Sequence, residues 1–169
     1  MSNSLIIIAA IIVLLIIVTS TLSPKNKKKK KEENDDIKIV SSAEFKKQKL
    51  LNNEEILIYN SIIKNIIIPN KGKYRVFAQV NLGEILKCSG PGFWKINTKR
   101  VDFCITANDF EPLAVIEYHG TGHKGNKHEI RDEVKKIATE KAGLIYCAIN
   151  ENERDQLDSI ISKLLEQIE

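Results

Sequence analysis

RVDFCITANDFEPLAVIEYHGTGHKGNKHEIRDEVKKIATEKA, residues 100–142, decides the fold. Two runs in it, 100–106 and 113–118, are rich in Val, Ile, Phe and Cys, and NDFEP between them has turn composition. A hairpin turning between Asp109 and Phe110 sets Asp102 opposite Glu117, because both lie equally far from that point. Opposed side chains on an antiparallel pair sit roughly 5 Å apart, and like charges there repel. The simplest use for two facing carboxylates in an apolar hairpin is a hard divalent cation held by oxygen ligands. The alternative is a pair of strand-end residues in solvent. The remaining positions are apolar on both faces. Cys104 and Val115 share the carboxylate face, while Val101, Phe103, Ile105, Ala114 and Ile116 form the other. A sheet apolar on both sides is covered on both sides, which predicts an α/β sandwich.

Downstream, YHGTGHKG at 118–125 carries three glycines and reads as a loop. A helix follows, with Ile130, Val134, Ile137 and Ala138 as an apolar stripe. Lys127, Arg131 and Lys135 make a basic row beside it, four residues apart. Gly143 is a natural helix stop, and 144–150 reads as a further strand. Two carboxylates, a His-bearing glycine loop and a basic helix edge then converge at one end of the sheet. That set suits metal-assisted phosphodiester chemistry.

These motifs resemble the core of the PD-(D/E)XK, restriction-endonuclease-like superfamily. The likeness is strongest to a bacterial domain-of-unknown-function branch related to very-short-patch repair endonucleases. The matching residues are Val101-Asp102-Phe103, Ala114-Val115-Ile116-Glu117, Gly120-x-Gly122-His123, Arg131-Asp132-x-x-Lys135 and Ala142-Gly143, with Glu55 upstream. They cover residues 50–150. The resemblance implies a restriction-endonuclease-like core, a mixed β-sheet flanked by helices, and a Mg2+- or Mn2+-dependent endonuclease whose partner is a nucleic acid, DNA foremost. Asp102 and Glu117 would hold the metal, joined by the Tyr118 carbonyl. The superfamily's Lys two residues after the Glu is His119 here, and Lys135 on the next helix can supply that charge instead. Either would orient the attacking water or offset charge. His123 would donate to the leaving oxygen. Glu55 would reach a second metal or a water, although it equally suits the acid-favouring first turn of a helix. Lys99, Arg100, Lys124, Lys127 and Arg131 would meet the phosphate backbone. A zinc site of His119, His123 and His128 lacks a fourth ligand and is spaced by glycines. Two further readings are a catalytically inactive nuclease fold that binds nucleic acid and a membrane-tethered protein scaffold.

Composition bounds these readings only loosely. The formal charge of the 169 residues is +4, from 26 basic and 22 acidic side chains. Such a weak excess means that any polyanion must bind a local patch. The cysteines, Cys88, Cys104 and Cys147, lack the spacing of a zinc ribbon, and two of them lie in apolar strands.

The N-terminus reads differently. Residues 5–18 are an unbroken apolar run, and the stretch to Leu22 is long enough for one bilayer crossing. No charge precedes the run, no small-residue cleavage pattern follows it, and Lys25 and residues 27–31 flank its far side. The expected organisation is a transmembrane anchor over 1–23, a basic and polar linker over 24–49, and an α/β domain over 50–169. Lysines on the far flank place that domain in the cytoplasm, tethered by a single pass to the cytoplasmic (inner) membrane. Within the domain, Asn52 or Asn53 caps a first helix with Glu54 and Glu55 in its first turn. Its apolar stripe is Ile56, Tyr59, Ile62, Ile63 and Ile66. A strand follows over 74–80, then a helical turn over 82–87. Phe93 and Trp94 either cover the core or flank a groove. Leu157, Ile160, Ile161, Leu164, Leu165 and Ile168 form a last helical stripe against the sheet.

The lysine asymmetry predicts that a reporter active only in the cytoplasm works when fused after Glu169. A reporter active only outside should stay silent, and the reverse pattern contradicts the orientation.

Overall fold

The computed structural model describes residues 7–8, 11–14, 34–120 and 126–169. It divides into two compact units, Met1–Gln48 and Lys49–Glu169. In the first, residues 34–42 are helical within a stretch read as linker. Among the described residues no helix is long and apolar enough to cross a membrane. The anchor expected over 1–23 lies largely outside them.

The second unit opens with α1, Asn53–Ile62. Asn52 caps it: its side chain accepts from the Glu55 N–H at 2.9 Å, and Glu55 Oε2 accepts from the Asn52 N–H at 2.8 Å. The helix runs on through a π-helical turn, Ile63–Ile67. Then come β1 (Tyr74–Asn81), two short helices α2 (Leu82–Ile85) and α3 (Phe93–Ile96), and the hairpin β2 (Arg100–Ala107) and β3 (Pro112–His119). α4 (Asn126–Lys141), β4 (Ile145–Asn150) and α5 (Leu157–Ile168) complete the unit.

The strands form one mixed sheet in the order β1-β2-β3-β4. β2 is antiparallel to both of its neighbours, β1 and β3, and β4 pairs parallel to β3. The β2/β3 ladder pairs Phe103 with Ile116, Cys104 with Val115 and Ile105 with Ala114. Continued one step, that register sets Asp102 against Glu117, while on the turn side the pairing shifts between Ile105 and Thr106. Phe110, at φ 72°, sits in the turn itself.

Both faces of the sheet are covered. Phe103, Ile105, Ala114 and Ile116 pack beneath Ile58 and Ile62 of α1, Ile66 of the π-helical turn, and Ile161 and Leu164 of α5. Cys104 and Val115 pack on the opposite face with Leu82, Leu86 and Ile96, against Val134 and Ala138 of α4. Each fully buried aliphatic or aromatic side chain is worth about 1.5–3 kcal/mol, so this double covering holds the unit together. Val101 belongs to the second cluster rather than the first. Gly143, at φ 81°, ends α4 as expected. Its N–H bonds the Glu140 carbonyl and the Leu144 N–H bonds the Thr139 carbonyl, closing the last turn.

Two stripes are rotated from their expected positions. On α1, Ile58 is buried at 1% exposure while Ile56 is 37% exposed. On α4, Val134 and Ala138 reach the core, but Ile130 and Ile137 stay 65% and 44% exposed. α4 therefore turns a different side to the sheet, and that side carries Lys135.

β1 holds a local anomaly. Gln79 adopts φ 58° in the middle of a strand, at the one position where the β1/β2 ladder between Tyr74 and Asn81 skips a pair. The skipped partner is Asp102. A left-handed residue other than glycine costs on the order of 1–3 kcal/mol. Strand propensity favours Val by less than that, about 1 kcal/mol over the whole scale. Gln79→Val should therefore be less stable than Gln79→Gly by roughly 1–3 kcal/mol in urea denaturation, the reverse of what strand propensity gives.

Candidate functional site

The carboxylate end of the hairpin opens into a cleft of about 640 Å³. β2 and β3 contribute Asp102, Glu117 and Tyr118, α1 contributes Glu55, and α4 contributes His128, Arg131, Asp132 and Lys135. Lys99 and Arg100 line it where the chain enters β2. That entry is fixed by close packing. A Cβ on Gly83 would lie 2.8 Å from the Asn97 Cα, and the Leu82 N–H bonds the Lys99 carbonyl at 2.8 Å.

The centre of the cleft is an ion pair. Glu117 is 4% exposed. Lys135 Nζ lies 2.9 Å from Glu117 Oε1 and 3.4 Å from Asp132 Oδ1. Asp102 Oδ2 accepts from the Tyr118 N–H at 2.8 Å, which ties the first carboxylate to the strand of the second. Burial pushes the Glu117 carboxyl up to about 7. Lys135 opposes that rise, and Asp102 and Asp132 add to it. Burial also pushes the Cys104 and Cys147 thiols up to about 11, which suits core residues and not nucleophiles.

The residues singled out in the sequence divide into three groups. Asp102, Glu117, Lys135, Glu55, Lys99, Arg100 and Arg131 share the cleft. His119 does not line it. Its ring faces Asp132, Nε2 to Oδ2 at 3.7 Å, in a neighbouring hollow with Glu129, Glu133 and Glu140. The charge beside Glu117 is thus that of Lys135 and not of the residue two places along the strand. His123, Lys124 and the side chain of Lys127 lie outside the described residues. The three-histidine zinc site gains nothing from this arrangement, since His119 and His128 line different hollows.

Sequence reading missed Gln79, Asn81, Thr98 and Asp132, which also line the cleft. Gln79 Nε2 lies 3.4 Å from Glu55 Oε1, linking the capping carboxylate to the strained strand position. No pattern marks Gln79, because a left-handed turn of a strand leaves no periodic trace. Asp132 had a signal in the spacing Arg131-Asp132-x-x-Lys135, which places it one turn from Lys135.

Among the described residues no group of three or more His, Cys, Asp or Glu side chains is arranged to hold a metal ion. A cation here would rest on two carboxylates, a backbone carbonyl and water. That donor set suits Mg2+ or Mn2+, hard ions that keep part of their hydration, and does not suit zinc.

The Glu117 shift has a measurable consequence. The unfolded carboxyl ionises near the ordinary 4.5 and the folded one near 7. Between those values the folded state holds the extra proton, so the contribution is fully present below about 4.5 and is lost as pH rises through 7. Wild-type stability relative to Glu117→Gln should fall by a few kcal/mol across that window, at most about 1.4 kcal/mol per pH unit, in urea titrations. A rise would contradict the burial of this carboxyl.

The chain is 40% identical over 81 residues to an uncharacterized protein of Haemophilus influenzae, covering 47% of this chain and 43% of that one. It is 34% identical over 99 residues to the uncharacterized protein y4bI of Sinorhizobium fredii, covering 57% of this chain and 72% of that one. The chain thus spans under half the length of the Haemophilus protein. No solved structure matches it. A family profile described as "Protein of unknown function (DUF2726)" matches residues 47–168, nearly all of the α/β unit, and the chain belongs to that family.

Proposed function

We propose that the α/β unit hydrolyses phosphodiester bonds in a nucleic acid, DNA foremost, with Mg2+ or Mn2+ held by Asp102, Glu117 and the Tyr118 carbonyl. The observation that carries the reading is the placement of Lys135. A helix-borne ammonium lies 2.9 Å from a buried strand carboxylate, beside a second carboxylate on the paired strand. This arrangement resembles the Asp, Glu and Lys set of the PD-(D/E)XK superfamily, with the Lys carried by the following helix. The mixed sheet flanked by helices supports the same resemblance.

Charge in the cleft also supports a cation. Glu55, Asp102, Glu117 and Asp132 stand against Lys99, Arg100, Arg131 and Lys135. A phosphate approaching the carboxylates meets repulsion unless a positive ion stands between. When bound, the ion would polarise the phosphate and lower the pKa of a water. Lys135 would hold that water in line and offset charge on the phosphorane-like oxygens. Arg131, Lys99 and Arg100, at the rim, would hold the flanking phosphates, and Glu55 would accept a hydrogen bond from a second water. The apolar run at residues 5–18 would tether this unit to the cytoplasmic membrane.

A second reading is an inactive fold that binds nucleic acid without cutting it. The Glu117–Lys135 pair favours it, since the two charges already satisfy one another. The test is cleavage of duplex and single-stranded DNA and of RNA by the full chain, with Mg2+, with Mn2+ and with chelator. Metal-dependent cleavage is expected. Asp102→Asn and Glu117→Gln should reduce it to background, and Lys135→Ala by about 10²–10⁴-fold. Salt-sensitive binding without cleavage under any metal supports the second reading and defeats the first.

A further inference from the structure

α4 separates two hollows of opposite character. The one beside His119 is lined by Glu129, Asp132, Glu133 and Glu140, with Lys136 as its lysine. The other, between α4 and the α2–α3 segment, is an apolar groove of about 360 Å³. Leu86, Ile96, Val134, Ile137 and Ala138 line it, and Lys87, Lys95 and Lys141 stand around it. Among its described lining residues there is no carboxylate. Next to it in the chain, Trp94 is 71% exposed, and one α4 turn-pair before Ile137, Ile130 is 65% exposed. Isolated exposed apolar residues are ordinary, but Trp94 immediately precedes the lining residue Lys95, and Ile130 lies two turns from the lining residue Ile137 on the same side of α4.

We propose that this groove and the Trp94 and Ile130 side chains beside it dock on an anionic phospholipid surface. The rim charges select the occupant. Three lysines and no acid repel a cationic partner and attract a negative leaflet. Trp is amphipathic and settles at the headgroup level, where one edge is apolar and the other wet. An acidic peptide helix would fill the groove alone, whereas a bilayer surface also covers Trp94 and Ile130. The proposed N-terminal anchor would hold such a surface at high effective concentration. This contact is distinct from the anchor, since it belongs to the α/β unit itself, and it leaves the Asp102–Glu117 cleft on another side of α4 free for substrate.

Trp94 is the one tryptophan of the chain, so it reports on this surface without labelling. The full chain is mixed with vesicles of phosphatidylcholine, or of phosphatidylcholine with about one third phosphatidylglycerol. Trp94 emission and its quenching by acyl-brominated lipid are then read. A blue shift and quenching are expected with anionic vesicles and not with neutral ones, weakening as salt screens the charges. The triple change Lys87→Gln, Lys95→Gln, Lys141→Gln should weaken docking on the order of 100-fold, and Ile137→Ser should reduce the quenching. Lys71→Gln, at an exposed position elsewhere, should leave both unchanged. Identical emission in the two vesicle types, or an undiminished response in the triple variant, overturns the proposal. A blue shift without vesicles that grows with protein concentration assigns the groove to a second copy. One that needs an added acidic amphipathic peptide assigns it to a protein partner, and either result also overturns the proposal. Sedimentation with neutral vesicles reads the N-terminal anchor separately, so failure of one membrane contact is not mistaken for failure of the other.

Discussion

The Glu117 carboxylate and the Lys135 ammonium, 2.9 Å apart and both largely buried, constrain everything packed around them. Removing one partner of such a pair costs about 3–5 kcal/mol, because the other charge is left without compensation. α4 must therefore present Lys135 to the sheet. Side chains on a helix are fixed relative to one another, so this choice sets the whole rotation. Val134 and Ala138 reach the second core cluster, while Ile130 and Ile137 are carried toward solvent. The same rotation places Arg131 and His128 in the cleft and leaves an apolar groove on the other flank. One ion pair thus links the candidate site to the docking surface.

Much of the sheet was legible because period-two patterns are strict. The expected pairing of β2 with β3 holds from Phe103 and Ile116 to Ile105 and Ala114, and a register shift at Thr106 separates it from the turn. Apolar residues on both faces implied helices on both sides, and α1, α4 and α5 supply them. The rotation of α4 was not legible. Ile130, Val134, Ile137 and Ala138 are the obvious stripe, yet the buried side of α4 combines Val134 and Ala138 with Lys135, which pairs with Glu117. Gln79 was invisible for another reason: its backbone strain has no signature in residue type, and its importance arises from lying across the ladder from Asp102. His119 shows the limit of spacing arguments. It lies two residues after Glu117 on the same strand, yet its ring meets Asp132 in the adjacent hollow.

The site is balanced in charge, which narrows its chemistry. A cleft built to bind a polyanion by electrostatics alone would be basic throughout. Here carboxylates line the cleft beside the basic side chains, and the most buried of them holds its proton up to about 7. Burial is the main cause of that rise, Asp102 and Asp132 add to it, and Lys135 opposes it. The relatives in Haemophilus and Sinorhizobium establish kinship and leave the activity to be read from this geometry.

The most direct measurement is the thermal melting of the full chain with and without Mn2+ at pH 8, above the Glu117 titration. A cation held by Asp102 and Glu117 stabilises the folded state by RT ln(1 + [L]/Kd), about 2.7 kcal/mol at a hundredfold excess over Kd. The melting temperature should rise with Mn2+ in the wild type, and Asp102→Asn and Glu117→Gln should each abolish the rise. A wild type whose melting is unmoved by millimolar Mn2+ would contradict the metal site and the hydrolysis proposed from it.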